Sequence, residues 1–281
     1  MSNQISNIIG RMVYDSRGRP TIEVEIETSK GFIGRAIAPS GASKGSKEAY
    51  ELRDEEETHG GYGVKKAISK VNKLIRNGLI GLEITDQKLI DKTLIQIDNS
   101  KNKSFLGGNS IIATSMAAIK TSSISENIEL WKYLNDGSEH NLNLPMPEIQ
   151  IFGGGAHAKN SIDIQDIMII PHKAESFKKA LEWVSNIYFK TGTLLEEKNL
   201  LYGVADEGGY WPVFNSNEEA IEFLINSIEK SGYRPGEDVS ISLDIAANNF
   251  YKDKYYFLRK NNSVVSSNEL VAIISEWIKK F

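Results

Sequence analysis

Residues 146–171 read MPEIQIFGGGAHAKNSIDIQDIMIIP, two short apolar runs separated by a glycine-rich turn, and their reading decides the fold. Met146 to Phe152 is predicted as a largely apolar strand that stops at Gly153-Gly154-Gly155. Ile164 to Ile170 is predicted as a second, stopping at Pro171, because proline cannot donate to a strand ladder. A helix is predicted over Glu175 to Leu195, where Ala180, Trp183, Val184, Ile187 and Tyr188 recur on one face. Ser216-Asn217-Glu218-Glu219 has the spacing of a capping box opening a helix over Ala220 to Lys230. Val239-Ser240-Ile241-Ser242-Leu243-Asp244 then reads as a buried strand with an acid at its C-terminal end. Two strands, a helix and a further strand and helix alternation predict the start of an α/β barrel, in which the C-terminal strand ends line the site. The last predicted helix, Asn268 to Phe281, has no closing glycine and no strand after it, so the barrel is expected to be incomplete.

Upstream, the polar stretch Asn135 to Asn143, with Asp136-Gly137 inside it, is the linker candidate and divides the chain into predicted domains 1–141 and 142–281. The first domain begins with strands. Met12-Val13-Tyr14 precedes a turn at Asp15-Ser16-Arg17-Gly18-Arg19-Pro20, Thr21 to Glu27 alternates apolar and acidic residues, and Gly31 to Pro39 is a further strand. The small-residue loop Ser40-Gly41-Ala42-Ser43-Lys44-Gly45 is expected to open a helix carrying Glu48, Tyr50, Leu52 and Arg53. Helices are predicted over Val64 to Arg76, Asp86 to Ile97 and Asn109 to Ser123. The fold class expected is therefore α/β: an N-terminal α+β domain, strands then helices, followed by an incomplete barrel.

Composition narrows the function. The formal net charge is −4 with both signs interleaved, which leaves no basic stripe for nucleic acid or an anionic membrane. With no cysteine, disulfides, thiolate nucleophiles and cysteine-ligated clusters are excluded. A cytoplasmic setting is expected, since the first residues lack the pattern of a signal peptide and no window has the length of an apolar membrane span. Against this plain background Val204-Ala205-Asp206-Glu207-Gly208-Gly209-Tyr210-Trp211-Pro212 stands out. Paired acids run into two glycines, a backbone that can turn sharply and approach a ligand, and Glu207 is the leading acid or base.

Taken together, Asp15-Ser16-Arg17-Gly18-Arg19-Pro20-Thr21, Ala38-Pro39-Ser40-Gly41-Ala42-Ser43-Lys44-Gly45, Gly154-Gly155-Ala156-His157-Ala158, Asp163-Ile164-Gln165-Asp166, Asp206-Glu207-Gly208-Gly209-Tyr210 and Ser242-Leu243-Asp244 resemble the enolase family in order and spacing. The likeness covers almost the whole chain and roughly the first two thirds of the family's length, with the later ligands and the base falling outside it. It implies a magnesium-dependent carbon–oxygen lyase, a phosphopyruvate hydratase that reversibly dehydrates 2-phosphoglycerate to phosphoenolpyruvate in glycolysis. By the same likeness Glu207 is catalytic, and His157, Gln165 and Asp166 contact the substrate. Asp244 and Ser43 bind Mg2+, and Arg17 serves electrostatics near the site or a subunit interface. The implied partner is a small phosphorylated acid, with a homodimer or larger homo-oligomer, and this chain alone is expected to be inactive.

The departures from the pattern open alternatives. Asp166 stands where glutamate is usual, which withdraws the carboxylate by one methylene. Gly153, Ala156, Trp211 and Lys44 also differ. These changes point to a diverged enzyme acting on a phosphonate or related acid. The missing later ligands point instead to a non-catalytic interaction protein on the enolase scaffold, or to one half of a split enzyme whose partner chain completes the barrel.

Overall fold

A computed structural model of the protein describes residues 2–41, 43–135, 142–158 and 161–281. They divide into two compact units, the first built from residues up to Gly41 and from Gly45 onward, the second holding Ser43, Lys44 and the chain from residue 142. The central part of the linker candidate, residues 136–141, lies outside the described residues, as does Ala42 of the small-residue loop.

In the first unit, β1 (Ile5–Tyr14), β2 (Pro20–Thr28) and β3 (Ile33–Ile37) form an antiparallel sheet in sequential order. Helical segments cover it: α1 (Lys65–Lys70), a π-helical turn (Val71–Ile75), α2 (Arg76–Leu79), α3 (Gln87–Ile97), α4 (Gly108–Ser125) and the short α5 (Leu130–Leu134). Ile22, Val24 and Ile26 of β2 are buried against Ala67, Val71, Ala113 and Ala117 from the helices, as the apolar alternation of that strand requires. The contact is close because Gly34 has no side chain: a Cβ there would lie 2.6 Å from the backbone nitrogen of Thr121 on α4.

The helix expected after the small-residue loop does not form; residues 49–55 run in an irregular, non-helical path. Their polar groups are bound to distant partners instead. Tyr50 N–H donates to Asn102 O at 2.7 Å, and the Asn109 amide bonds both Leu52 N and Leu52 O. Arg53 is buried, donating to the carbonyl of Tyr62 and to Ser40 Oγ, and Asp54 caps α1 by accepting from Lys65 N and Lys66 N at 2.8 Å. A local helix would forfeit these long-range bonds, so tertiary partners override propensity.

The second unit is organised by β4 (Ile149–Gly153), β5 (Asp166–Ile170), β6 (Leu201–Val204), β7 (Tyr210–Pro212) and β8 (Ser240–Asp244) in the order β6-β7-β4-β5-β8. Only β4 and β7 pair in parallel; the other neighbours are antiparallel. Helices α6 (Phe177–Glu197) and α7 (Asn217–Lys230) contribute Val184, Ile187, Ile221 and Leu224 to a core shared with Ile151, Phe152, Ile167 and Ile169. Among the described residues the sheet does not close on itself. A small meander, β9 (Tyr251–Lys252), β10 (Tyr255–Leu258) and β11 (Ser263–Val265), precedes α8 (Ser267–Lys280).

The cap expected at Ser216 is only half a capping box. Its hydroxyl accepts from Glu219 N at 3.0 Å, but the Glu219 carboxylate reaches Asn215 N instead. The reciprocal box occurs at Ser266 and Glu269, at the start of α8.

Candidate active site

Strand register places the key acids. Gly153 of β4 pairs with Asp166 of β5, and Asp166 pairs in turn with Asp244 of β8, so three strands bring their functional ends into one row. The turn between β6 and β7 is drawn to the same row by the Phe152–Tyr210 pair, and with it come Asp206 and Glu207. Beyond β4 the chain doubles back sharply, with Gly154 N bonded to Gln165 O at 2.7 Å and Gly155 N to Ile162 O at 3.0 Å. A Cβ on Gly154 would meet the Ile162 carbonyl oxygen at 3.0 Å, and Gly155 sits at φ +49°, so the glycine run is what lets His157 be placed beside β5.

His157 is buried, its side chain only 3% exposed, and its ring is held from both sides. Nδ1 lies 2.6 Å from Asp206 Oδ1, while Nε2 lies 3.4 Å from Glu207 Oε1 and 3.9 Å from Asp166 Oδ1. The acid that precedes Glu207 thus orients the histidine, and the ring turns its other nitrogen toward the two remaining carboxylates. Asp166 is also buried, and loss of water raises its carboxyl above the usual carboxylate range. The negative charge of Asp244 pushes the same way, against hydrogen bonding from Gln150 and Gln165 and the attraction of His157. Glu207 is the exposed member of the group, its side chain 44% accessible.

Gln165 joins this cluster to Asp244. Its Nε2 donates to Asp244 Oδ2 at 3.3 Å and its Oε1 accepts from Asn249 Nδ2 at 3.0 Å, while Asp244 Oδ1 accepts from Ala246 N at 3.0 Å. Those donors fix the Asp244 carboxylate yet leave lone pairs on an exposed residue, and oxygen donors of this kind suit a hard divalent cation. One ligand atom each from His157, Asp166 and Glu207 also lies within 4.8 Å of the others. The acids required by the sequence reading therefore lie together rather than scattered over the unit.

Two further predicted residues come from the N-terminal part of the chain. Arg17 belongs to the turn between β1 and β2, where its N–H is bonded to Asp15 Oδ1 and its guanidinium donates to Ser40 O at 3.2 Å. Ser43 is half-buried in the loop after β3, and no helix begins at Gly45 for it to cap.

Sequence reasoning missed Gln150. This β4 residue donates through Nε2 to Asp166 and, at 3.3 Å, to Glu207 Oε2, and its Oε1 accepts from Gly209 N at 2.8 Å. The available signal was a polar residue inside an otherwise apolar strand. Gln150, Asp166, Glu207 and Gly208 line one wall of an open cavity of about 580 Å³ whose other wall is apolar, with Leu181, Val184, Tyr188 and Phe189 of α6. Tyr188 stacks on Tyr210 with ring centroids 4.3 Å apart and donates to Gly208 O at 2.8 Å, bracing the acid-bearing turn. Burial pushes the Tyr210 hydroxyl up to about 12.

Comparison with known proteins identifies the family to which both units are similar. Residues 5–134 match the family described as "Enolase, N-terminal domain", and residues 141–281 match "Enolase, C-terminal TIM barrel domain". The chain is 44% identical to Enolase 1 of Desulfitobacterium hafniense (strain Y51) over 281 residues, covering 99% of this chain and 64% of that relative. It therefore spans less than two thirds of the length of the relative it matches.

Proposed function

The chain belongs to the enolase family, and on that footing we propose that it forms the Glu207-bearing part of a magnesium-dependent lyase that reversibly dehydrates 2-phosphoglycerate to phosphoenolpyruvate. The observation that carries the reading is the convergence of His157, Gln165, Asp166, Glu207 and Asp244 from separate strands and turns. In this reading Asp244 and Ser43 offer oxygen to magnesium, which, when bound, supplies the positive charge that makes a proton beside a carboxylate removable. Glu207 faces the departing hydroxyl and moves the proton that lets it leave as water. His157, oriented by Asp206, and Gln165 contact the substrate, and Asp166 adds a buried carboxyl next to them. Arg17 contributes positive charge near the site or an interface. The base that takes the α-proton and the further carboxylate ligands belong to the portion of the family's length that this chain does not span.

The same reading makes the working enzyme cytoplasmic, glycolytic and homo-oligomeric, with a small phosphorylated acid as its substrate. A second reading, a related phosphonate acid as substrate, is favoured by Asp166, whose side chain is shorter than the family's usual glutamate. The test is an assay of phosphoenolpyruvate formation by a complete barrel carrying residues 1–281 and by the chain alone. Magnesium-dependent turnover by the complete form, absent from the chain alone and lost on Glu207→Gln, is expected. A folded, magnesium-binding complete form that leaves 2-phosphoglycerate untouched would overturn the glycolytic reading, and turnover of a phosphonate analogue by it would establish the second.

A further inference from the structure

We propose that Gln150 is a positioning residue that clamps Asp166 and Glu207 at a fixed separation, and that Gly209 is glycine in order to admit its amide. The inference rests on the lyase reading for its functional consequence, but its structural content is independent of it.

The orientation of the amide follows from its neighbours. Gly209 N–H can only donate, so the atom 2.8 Å from it must be the oxygen of Gln150. The NH2 group is then turned the other way, toward Asp166 and Glu207, and both acids accept from it. One uncharged side chain therefore bridges a carboxylate on β5 and another on the β6–β7 turn without adding a third charge between them. A lysine would neutralise one acid and a glutamate would repel both; an amide does neither, and it leaves each acid's charge free for chemistry.

Gly209 gives the second, separate observation. A Cβ built there would fall on Gln150, meeting its Cδ and Cγ at 2.8 Å each, at a position where the backbone is not in the left-handed region. Turn conformation therefore does not demand glycine at 209, whereas Gly208, at φ +97°, is demanded by the backbone. What demands it is the approach of the glutamine. The two glycines after Glu207 have different causes, and one of them exists for β4.

The test needs no turnover. In the intact 281-residue chain, the Gln150 side-chain NH2 protons should exchange with solvent about tenfold or more slowly than those of the same residue in the urea-unfolded chain. Asp166→Ala should speed exchange of one of the two protons, and Glu207→Ala should do so less, because that bond is longer and exposed. Gln150 protons that exchange as in the unfolded chain, or that ignore Asp166→Ala, would overturn the clamp. In the complete enzyme, Gln150→Leu and Gln150→Glu should each lower kcat about a hundredfold with KM changed less than about threefold, since both lose the donors while only the glutamate keeps an acceptor for Gly209. Unchanged kcat in both would refute a positioning role. Absence of dehydration in the unsubstituted enzyme would instead refute the lyase reading and leave the exchange result to decide the clamp.

Discussion

Replacing Asp163 by alanine should destabilise the second unit more than any exposed-acid substitution, because its carboxylate is 1% exposed and serves three separate partners. It accepts from Arg259 N and Lys260 N, each at 3.1 Å, and from Asn217 Nδ2 at 3.3 Å. Hydrogen bonds to a charged acceptor contribute about 1.5–3 kcal/mol each when intact. The two main-chain donors lie in the exposed turn between β10 and β11, where water replaces much of what is lost, so they count at the low end. Asn217 is fully buried, and its abandoned N–H costs about 1–3 kcal/mol. The Arg259 guanidinium, 3.6 Å away and 60% exposed, adds under about 1 kcal/mol after screening. The expected loss is about 4–7 kcal/mol, and Asp163→Asn, which keeps the volume and one acceptor, should cost roughly half as much. Urea unfolding followed by tryptophan fluorescence suits the question, because Trp183, Trp211 and Trp277 lie in this unit and only Trp131 in the other. A shift in midpoint corresponding to less than about 1 kcal/mol for Asp163→Ala would refute the assignment of these bonds to stability.

Other outcomes follow from the same structure. Burial raises the Asp166 carboxyl, so the native state binds its proton more readily than the unfolded chain: stability at this residue should rise as pH falls from neutral through its folded value toward the ordinary carboxylate value of 3.8. Asp166→Asn should remove that pH dependence and raise the melting temperature at pH 7; a melting temperature that falls would contradict the burial argument. Gly192→Ala should destabilise by about 1–2 kcal/mol despite alanine's helix preference, because the new Cβ would lie 2.7 Å from Tyr210 Cζ, and circular-dichroism melts would expose a stabilised variant as evidence against that packing. Glu207→Gln in the complete enzyme should reduce dehydration at least about a hundredfold while thermal stability stays within about 1 kcal/mol, since the side chain is partly exposed; equal activity would remove Glu207 from the chemistry.

What the sequence disclosed and what it hid have physical causes. Helices α3, α4, α6 and α8 were legible from apolar periodicity, α7 from the cap spacing before it, and the strand end bearing Asp244 from an apolar run that terminates in an acid, whereas Asp166 opens β5 and stood out only through the family motif. The meander β9–β11 was not, because its first turn, Asp253-Lys254, takes φ of 51° and 71° without a glycine to announce it. The irregular path at residues 49–55 was read as helix because its partners, Asn102 and Asn109, lie about fifty residues away in sequence and no local pattern records them. Within the site, charged residues next to glycines drew attention, and Gln150 escaped it. Its polarity within an apolar strand was the one signal, and the role of that amide became visible only when β5 and the β6–β7 turn, which supply its acceptors, were placed beside it.

The most direct test of the gathered site is addition of Mn2+, a paramagnetic stand-in for magnesium, to the isotope-labelled chain. Backbone resonances of Gln165, Asp166, Glu207 and Asp244 should broaden first and together, and excess Mg2+ should restore them. Broadening confined to surface acids such as Glu229 and Glu237, with those residues unaffected, would contradict the gathered site.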